Sequence, residues 1–280
     1  MSIRLHNVMA QHHKVTLVID DNRQEELLAS WQKVEDALTK IASLRADSLA
    51  PLQKLMRQTL DEQEGFTSIC EDARLQPRIV HLSSDSPALT NLPWRLAIAD
   101  VPQLYLVKGL ATEKTPTVPA VAKELPLKVL VMISAPENST GGRLNYEEEE
   151  GLILRAFEPL FNSGLVEIDF CEDGSLETLE AKLKRNSYHV LHFSGHGTFD
   201  PEHGTLLELE DQLTMAQKVA TGNEFIQSLN VKEAHRPSLV LLSSCLTAKG
   251  GEDKHLQGLA LDLLEAGAPA TVAMSLSVLD

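Results

Sequence analysis

A chain of 280 residues, 43% of them hydrophobic, has the material for one large α/β domain or two modest ones and is expected to fold as a globular protein. Its formal net charge of −15, with no local basic patch to offset it, argues against nucleic acid as a partner. Three cysteines, Cys70, Cys171 and Cys245, are odd in number and lack C-x-x-C spacing, which argues against a disulfide framework and a standard structural zinc site. No run approaches the ~18 uninterrupted apolar residues of a membrane span, and "MSIRLHNVMAQHHK" has neither the apolar core nor the cleavage site of a secretory signal. The expected location is cytoplasmic, with no membrane partner.

In chain order, "KVTLVID" (14–20) reads as a strand. A helix follows, with Asn22 as its cap, Glu25 placed for a capping box, and Leu27, Trp31, Val34, Leu38 and Ile41 recurring at spacings of four and three. A second helix is expected from about Ser48, with Pro51 near its first turn and Leu52, Leu55, Met56 and Leu60 on one face. The two form a helical hairpin, and no recurrence near 34 or 40 residues marks a repeat array. "RIVHL" (78–82) and "LYLV" (104–107) are short strand candidates around the turn-rich "SSDSPALTNLPWR". The three prolines of "EKTPTVPAVAKELPLK" read as a linker. Residues 1–122 are thus expected to form a smaller α+β region with a helical hairpin, and 123–280 a separate α/β domain.

From Leu127 the pattern alternates: strand "LKVLVMI" (127–133), helix 145–161, strand "LVEIDF" (165–170), helix 176–185, strand "YHVLHF" (188–193). A hairpin-like stretch around "TLLELEDQLTM" and a helix near 223–229 follow. The last elements are strand "SLVLLS" (238–243), a helix near 256–265 and strand "ATVAMSLS" (270–277). Apolar strands separated by helices predict a mostly parallel sheet covered on both faces, a three-layer arrangement. "EEEE" (147–150) reads as a solvated helix start suited to the positive end of the helix dipole rather than as a binding site.

Functional groups in such sheets gather beyond the carboxyl ends of the strands. His196 of "HFSGHG" follows strand 188–193 and Cys245 follows strand 238–243, so both belong on one rim, and right-handed crossovers make those two strands neighbours. A thiol is mostly protonated at neutral pH. A nearby imidazole can take its proton and return one to a leaving amine. Gly195 and Gly197, lacking Cβ atoms, allow a sharp turn and close approach of a substrate to the main chain. The N–H groups of Gly197 and Cys245 could form an oxyanion hole.

These residues carry a resemblance. "HVLHFSGHG" and "LVLLSSC", with "NLPWRLAIAD" (91–100), "LKVLVMISAPE" and "GLALDLLEAGAPATVAMSLSVLD", resemble in order the motifs of the CHAT domain family, caspase-like cysteine peptidases related to caspases, metacaspases and separase. The interval from His196 to Cys245 also matches the caspase histidine-to-cysteine spacing of about 50 residues. The resemblance implies a caspase-like fold, His196 as catalytic histidine, Cys245 as nucleophile, a protein substrate and no cofactor. It also aligns Asp280 with an acidic position that helps separase-like relatives hold a basic residue before the scissile bond.

The chain departs from the family pattern in four places. Arg95 replaces the usual glutamate of the "LPWE" segment, Leu246 and Thr247 stand where Glu-Thr is common, and the terminal "MSLSVLD" lacks a tryptophan. The sequence ends at Asp280, where the family continues. A domain completed by a further segment, by a regulatory protein or by the other half of a split enzyme is one expectation from this, and latency until a partner arrives is another.

Several alternatives stay open at the level of sequence. The chain could be a catalytically silent CHAT-like scaffold. A zinc site from His192, His196, His203 and Cys245 is conceivable. A nucleotide-binding domain is disfavoured because no G-x-G-x-x-G or P-loop motif follows a strand, "STGGR" being too short. His192 is expected to be structural, His203 a loop residue, Cys70 and Cys171 structural thiols, and "TAKGGEDKHLQG" (247–258) a loop that shapes the cleft and could be an activation cleavage site.

Overall fold

Residues 11–39, 46–84, 86–108, 125–139, 142, 144–200, 202–230, 235–244 and 258–274 are described by a computed structural model. The chain divides into two compact units, Met1–Ala111 and Thr112–Asp280. The proline-bearing segment expected as a linker lies, up to Glu124, outside the described residues.

In the first unit, strands β1 (Gln11–Thr16), β2 (Arg78–Ser83) and β3 (Leu104–Lys108) form a parallel sheet in that order. Strand β1 begins and ends earlier than its apolar run suggests. Leu17 N–H still donates to the Ser83 carbonyl at 2.8 Å, and the next amide, Val18, which alternation turns away from β2, is taken by the Gln63 side chain at 3.0 Å. Helices α1 (Asp21–Thr39) and α2 (Ala46–Asp61) form the expected pair, and Leu27, Val34, Leu52, Leu55, Met56 and Leu60 are buried between helices and sheet. The cap of α1 is Asp20 rather than Asn22: its carboxylate accepts the Arg23 N–H at 2.9 Å. Pro51 lies inside α2.

Two short helices, α3 (Phe66–Asp72) and α4 (Pro87–Asn91), and a 3-10 turn (Trp94–Ile98) were not expected from the sequence. Each is too short for periodicity to register, and each is held by tertiary burial of a few residues, Phe66 and Cys70 in α3, Trp94 and Ile98 in the turn. The Trp94 indole N–H donates to the Leu89 carbonyl at 2.7 Å, so "NLPW" is a packed corner. Arg95, the residue that departs from the family glutamate, donates to the Leu104 carbonyl at 2.5 Å and so ties this corner to β3.

The second unit is built on a five-stranded parallel sheet. Its strands β4 (Leu127–Ile133), β5 (Val166–Phe170), β6 (Val190–Ser194), β10 (Leu239–Ser243) and β11 (Ala270–Ala273) stand in the order β11-β10-β6-β4-β5. Alternation sends Val129, Val131 and Ile133 to one face, against Ile153 of helix α5 (Tyr146–Asn162). Leu130, Met132, Leu191, Phe193, Val240 and Leu242 go to the other. There they pack on helices α6 (Leu176–Arg185), α7 (Gly222–Leu229) and α8 (Leu259–Glu265). This is a mixed α/β architecture with a parallel central sheet.

The local signals for these helices are plain. Asn145 accepts from the Glu148 N–H, Ser175 from the Thr178 N–H, and Thr221 with Glu224 forms a reciprocal capping box. Between β6 and α7, strands β7 (Gly197–Asp200), β8 (Gly204–Glu210) and β9 (Gln217–Thr221) make an antiparallel sheet in the order β7-β8-β9. The hairpin was expected; β7, which begins directly after His196, was not. Among the described residues no helix is long and apolar enough to cross a membrane.

Candidate active site

Strands β6 and β10 are adjacent and parallel, and every rung pairs residue n with residue n + 49, from Val190 with Leu239 to Ser194 with Ser243. His196 stands two residues beyond Ser194, and Cys245 follows two residues after Ser243 in the sequence. The rim is stitched together past the last rungs: Gly195 N–H donates to the Ser243 carbonyl at 3.3 Å and Ser134 N–H to the Ser194 carbonyl at 2.8 Å. Of the four residues singled out in the sequence, His196 and Gly197 are described; Cys245 and Asp280 lie outside the described residues, as does most of the 247–258 segment.

Gly195 is a glycine because of space. A Cβ there would come within 2.9 Å of the Phe193 ring, 3.3 Å of the Ser134 Cβ and 3.4 Å of the Ser134 carbonyl oxygen. The strand end is therefore pressed onto the end of β4, and His196 emerges from a fixed point. Its Nε2 lies 2.8 Å from the carbonyl oxygen of Gly142. A carbonyl can only accept, so Nε2 carries the proton. The ring is thereby held as the tautomer whose Nδ1 has a free lone pair. Gly142 has φ of +98°, a conformation that favours glycine, and it lies in the "STGGR" stretch for which sequence reading found no role.

The main chain after His196 is held by β8. Glu208 N–H donates to the His196 carbonyl at 3.0 Å. These two residues thus form a hydrogen-bonded pair of the antiparallel ladder, and the next pair, Gly197 with Leu207, is of the alternate kind. The Gly197 N–H therefore points away from β8, on the outer edge of the β7-β8-β9 sheet.

On the α5 face, the buried Ser194 hydroxyl donates to Glu149 Oε1 at 2.7 Å, so one of the "EEEE" glutamates is bonded to the sheet and is not simply solvated. The sequence held no signal for this, because the contact joins a helix start to a strand 45 positions away. His192 lies on the same face, paired across the sheet with Val131 and Leu241. Burial pushes its pKa down, opposed by the nearby Glu149 carboxylate, and its Nδ1 is buried without a hydrogen-bond partner. It is a half-buried residue of the α5 face.

His203 is in a different setting, its Nδ1 2.8 Å from Asp200 Oδ1 in an exposed turn, and this contact holds the Asp200 carboxyl below its usual range. Among the described residues no three His, Cys, Asp or Glu side chains gather as a metal site. Cys70 and Cys171 are buried free thiols. Burial raises both pKa values, that of Cys171 to about 12, which keeps them protonated and poorly nucleophilic.

Comparison with curated proteins by sequence found no match. Among solved structures, the chain is similar to the Arg-specific cysteine proteinase gingipain R, at 10% identity and a TM-score of 0.37 over 93% of this chain. It spans 59% of that structure's length. The family model described as the CHAT domain matches residues 47–280. That match begins in α2 and runs through the Trp94 corner, the parallel sheet and the His196 rim to the last residue: the chain belongs to the CHAT domain family.

Proposed function

We propose that the chain is a cysteine endopeptidase of three-layer caspase-like fold, acting on a protein substrate through a dyad of His196 and Cys245. The observation that supports this reading is the constant 49-residue offset between β6 and β10, the same interval that separates His196 from Cys245 in the sequence. The Gly142 carbonyl supports it. It accepts the Nε2 proton of His196 and so leaves Nδ1 to serve as the base.

The chemistry follows from these roles. His196 Nδ1 takes the thiol proton of Cys245 as the sulfur attacks the scissile carbonyl carbon, and the oxyanion is held by the N–H groups of Gly197 and Cys245. The C–N bond breaks as the imidazolium returns its proton to the leaving amine, giving a thioester acyl-enzyme. Water, losing a proton to the same nitrogen, attacks the thioester, and C–S cleavage regenerates the thiol. No step calls on a metal or an organic cofactor. By family resemblance, Asp280 supplies the negative charge that holds a basic residue before the scissile bond.

The test needs no substrate: the alkylation rate of each cysteine against pH, resolved by mass spectrometry, in wild type and His196→Ala. A Cys245 profile with an apparent pKa well below about 8.5 that returns to that value in His196→Ala is the expected result, and a peptide library would then define the cleavage motif. A Cys245 profile indifferent to His196 would leave the chain as a silent scaffold, or one that a partner must complete.

A further inference from the structure

Glu210, near the end of β8, is a charged side chain only 4% exposed, and the dyad itself has no use for it. Its Oε1 accepts the Ala135 N–H at 2.8 Å, just past β4, and its Oε2 accepts the Gly174 N–H at 2.9 Å, in the loop between β5 and α6. Its own N–H donates to the Gly174 carbonyl at 3.0 Å. One carboxylate thus fastens β8 to the carboxyl ends of two strands of the parallel sheet through charge-assisted bonds to backbone.

Two residues earlier on the same strand, Glu208 does the rest. Its N–H holds the His196 carbonyl at 3.0 Å, and its own carbonyl accepts the Ser134 hydroxyl at 2.9 Å. Its carboxylate accepts the Ser139 hydroxyl at 2.6 Å. Ser134 is also the residue against which Gly195 is pressed, and a Cβ on Gly174 would fall 2.5 Å from the Ser134 Cα. The loops after β4, β5 and β6 therefore meet within contact distance around Ser134, with Glu210 closing them from above.

We infer that Glu210 is a positioning residue for His196: by anchoring β8 to Ala135 and Gly174 it fixes the strand whose Glu208 amide holds the histidine's main chain. Its bearing on catalysis rests on the dyad reading above. A neutral amide of the same shape cannot reproduce the clamp. The Gln oxygen can take one N–H, but its NH2 group then faces the other donor.

The test is made on the full chain with two readouts. The first is the ring Cε1–Hε1 cross-peak of His196 in a 13C–1H correlation spectrum, assigned by its loss in His196→Ala. The second is the pH profile of Cys245 alkylation. In Glu210→Gln, and to a smaller extent in Glu210→Asp, the His196 peak is expected to move while those of His13 and His81 in the other unit stay in place. Cys245 alkylation near pH 7 is expected to fall by about tenfold, toward the His196→Ala value.

An unmoved His196 peak in folded Glu210→Gln overturns the inference. If that variant does not fold, Glu210→Asp, which keeps the charge but withdraws the carboxylate from the Ala135 and Gly174 amides by one methylene, decides: a shifted peak supports the inference and an unshifted one sinks it. A shifted peak with a Cys245 profile that never depended on His196 keeps the positioning role and removes the dyad, so the two failures are told apart.

Discussion

The carbonyl oxygen of Gly142 lies 2.8 Å from Nε2 of His196, across 54 positions of sequence, and this one contact selects the tautomer of the ring. It brings Gly142, just before α5, against the histidine.

Gly142→Ala tests this contact. A Cβ at that position meets nothing within 4 Å, so the cost is the backbone strain of φ +98° alone, roughly 1–2 kcal/mol if the conformation is kept. Relief of that strain turns the peptide and withdraws the carbonyl. The expected outcome is a small loss of thermal stability with a severalfold drop in His196-dependent alkylation of Cys245. Unchanged alkylation would show that the contact does not orient the ring.

The rim glycines should rank by the space around them. Gly174→Ala brings a Cβ to 2.5 Å from backbone Cα of Ser134, which cannot yield without moving β4, whereas Gly195→Ala meets chiefly the edge of the Phe193 ring at 2.9 Å. Urea denaturation should give Gly174→Ala as the more destabilised, at or above the ~1–3 kcal/mol usual for overpacking, and Gly195→Ala lower in that range. The reverse order would mean that the loop carrying Gly174 gives way more easily than the packed strand end.

Asp262 on α8 should make the protein less stable as pH rises. Burial, with Glu265 nearby, lifts its carboxyl from an ordinary 3.8 to about 7 in the folded state. Below about pH 4 the group is protonated folded and unfolded alike and costs nothing. Between there and pH 7 the unfolded chain releases the proton that the folded chain keeps, so folding loses ground until both are ionised. Asp262→Asn should therefore raise Tm more at pH 7.5 than at pH 4.5. An equal effect at both values would place the ionised form in water.

Thiol reactivity should separate the cysteines. Cys70 and Cys171 are each 3% exposed and burial raises both pKa values, so iodoacetamide at pH 7.5 should modify neither on the timescale of Cys245 labelling, and both only after denaturant is added. Labelling of Cys171 in native protein would reveal an opening of the α6 side of the sheet.

The interior of the second unit was legible because its signals are local and strong. Runs such as "LKVLVMI" and "LVLLS", set between helical patterns, read as buried parallel strands, and α6 covers the residues expected of it, Leu176–Arg185. The first unit was less so. Strand β1 starts at Gln11 rather than Lys14 because the polar "QHH" pairs with Arg78–Val80 of β2, a distant partner, and α3, α4 and the Trp94 turn are too short to show a period.

For the site, the sequence by itself determined the chemistry on offer, a histidine between glycines and a cysteine after an apolar strand, and the rule that both follow carboxyl ends of parallel strands. Only the tertiary structure decided the register of β6 on β10, a constant offset of 49 residues. It alone brought Gly142 to Nε2, Glu149 to Ser194, and Glu210 to the amides of Ala135 and Gly174. The reason is physical: strand character and caps arise within a few residues of chain. A carbonyl or carboxylate finds its distant partner only when the packing of the sheet brings two loops within hydrogen-bonding distance, and no local pattern records that meeting.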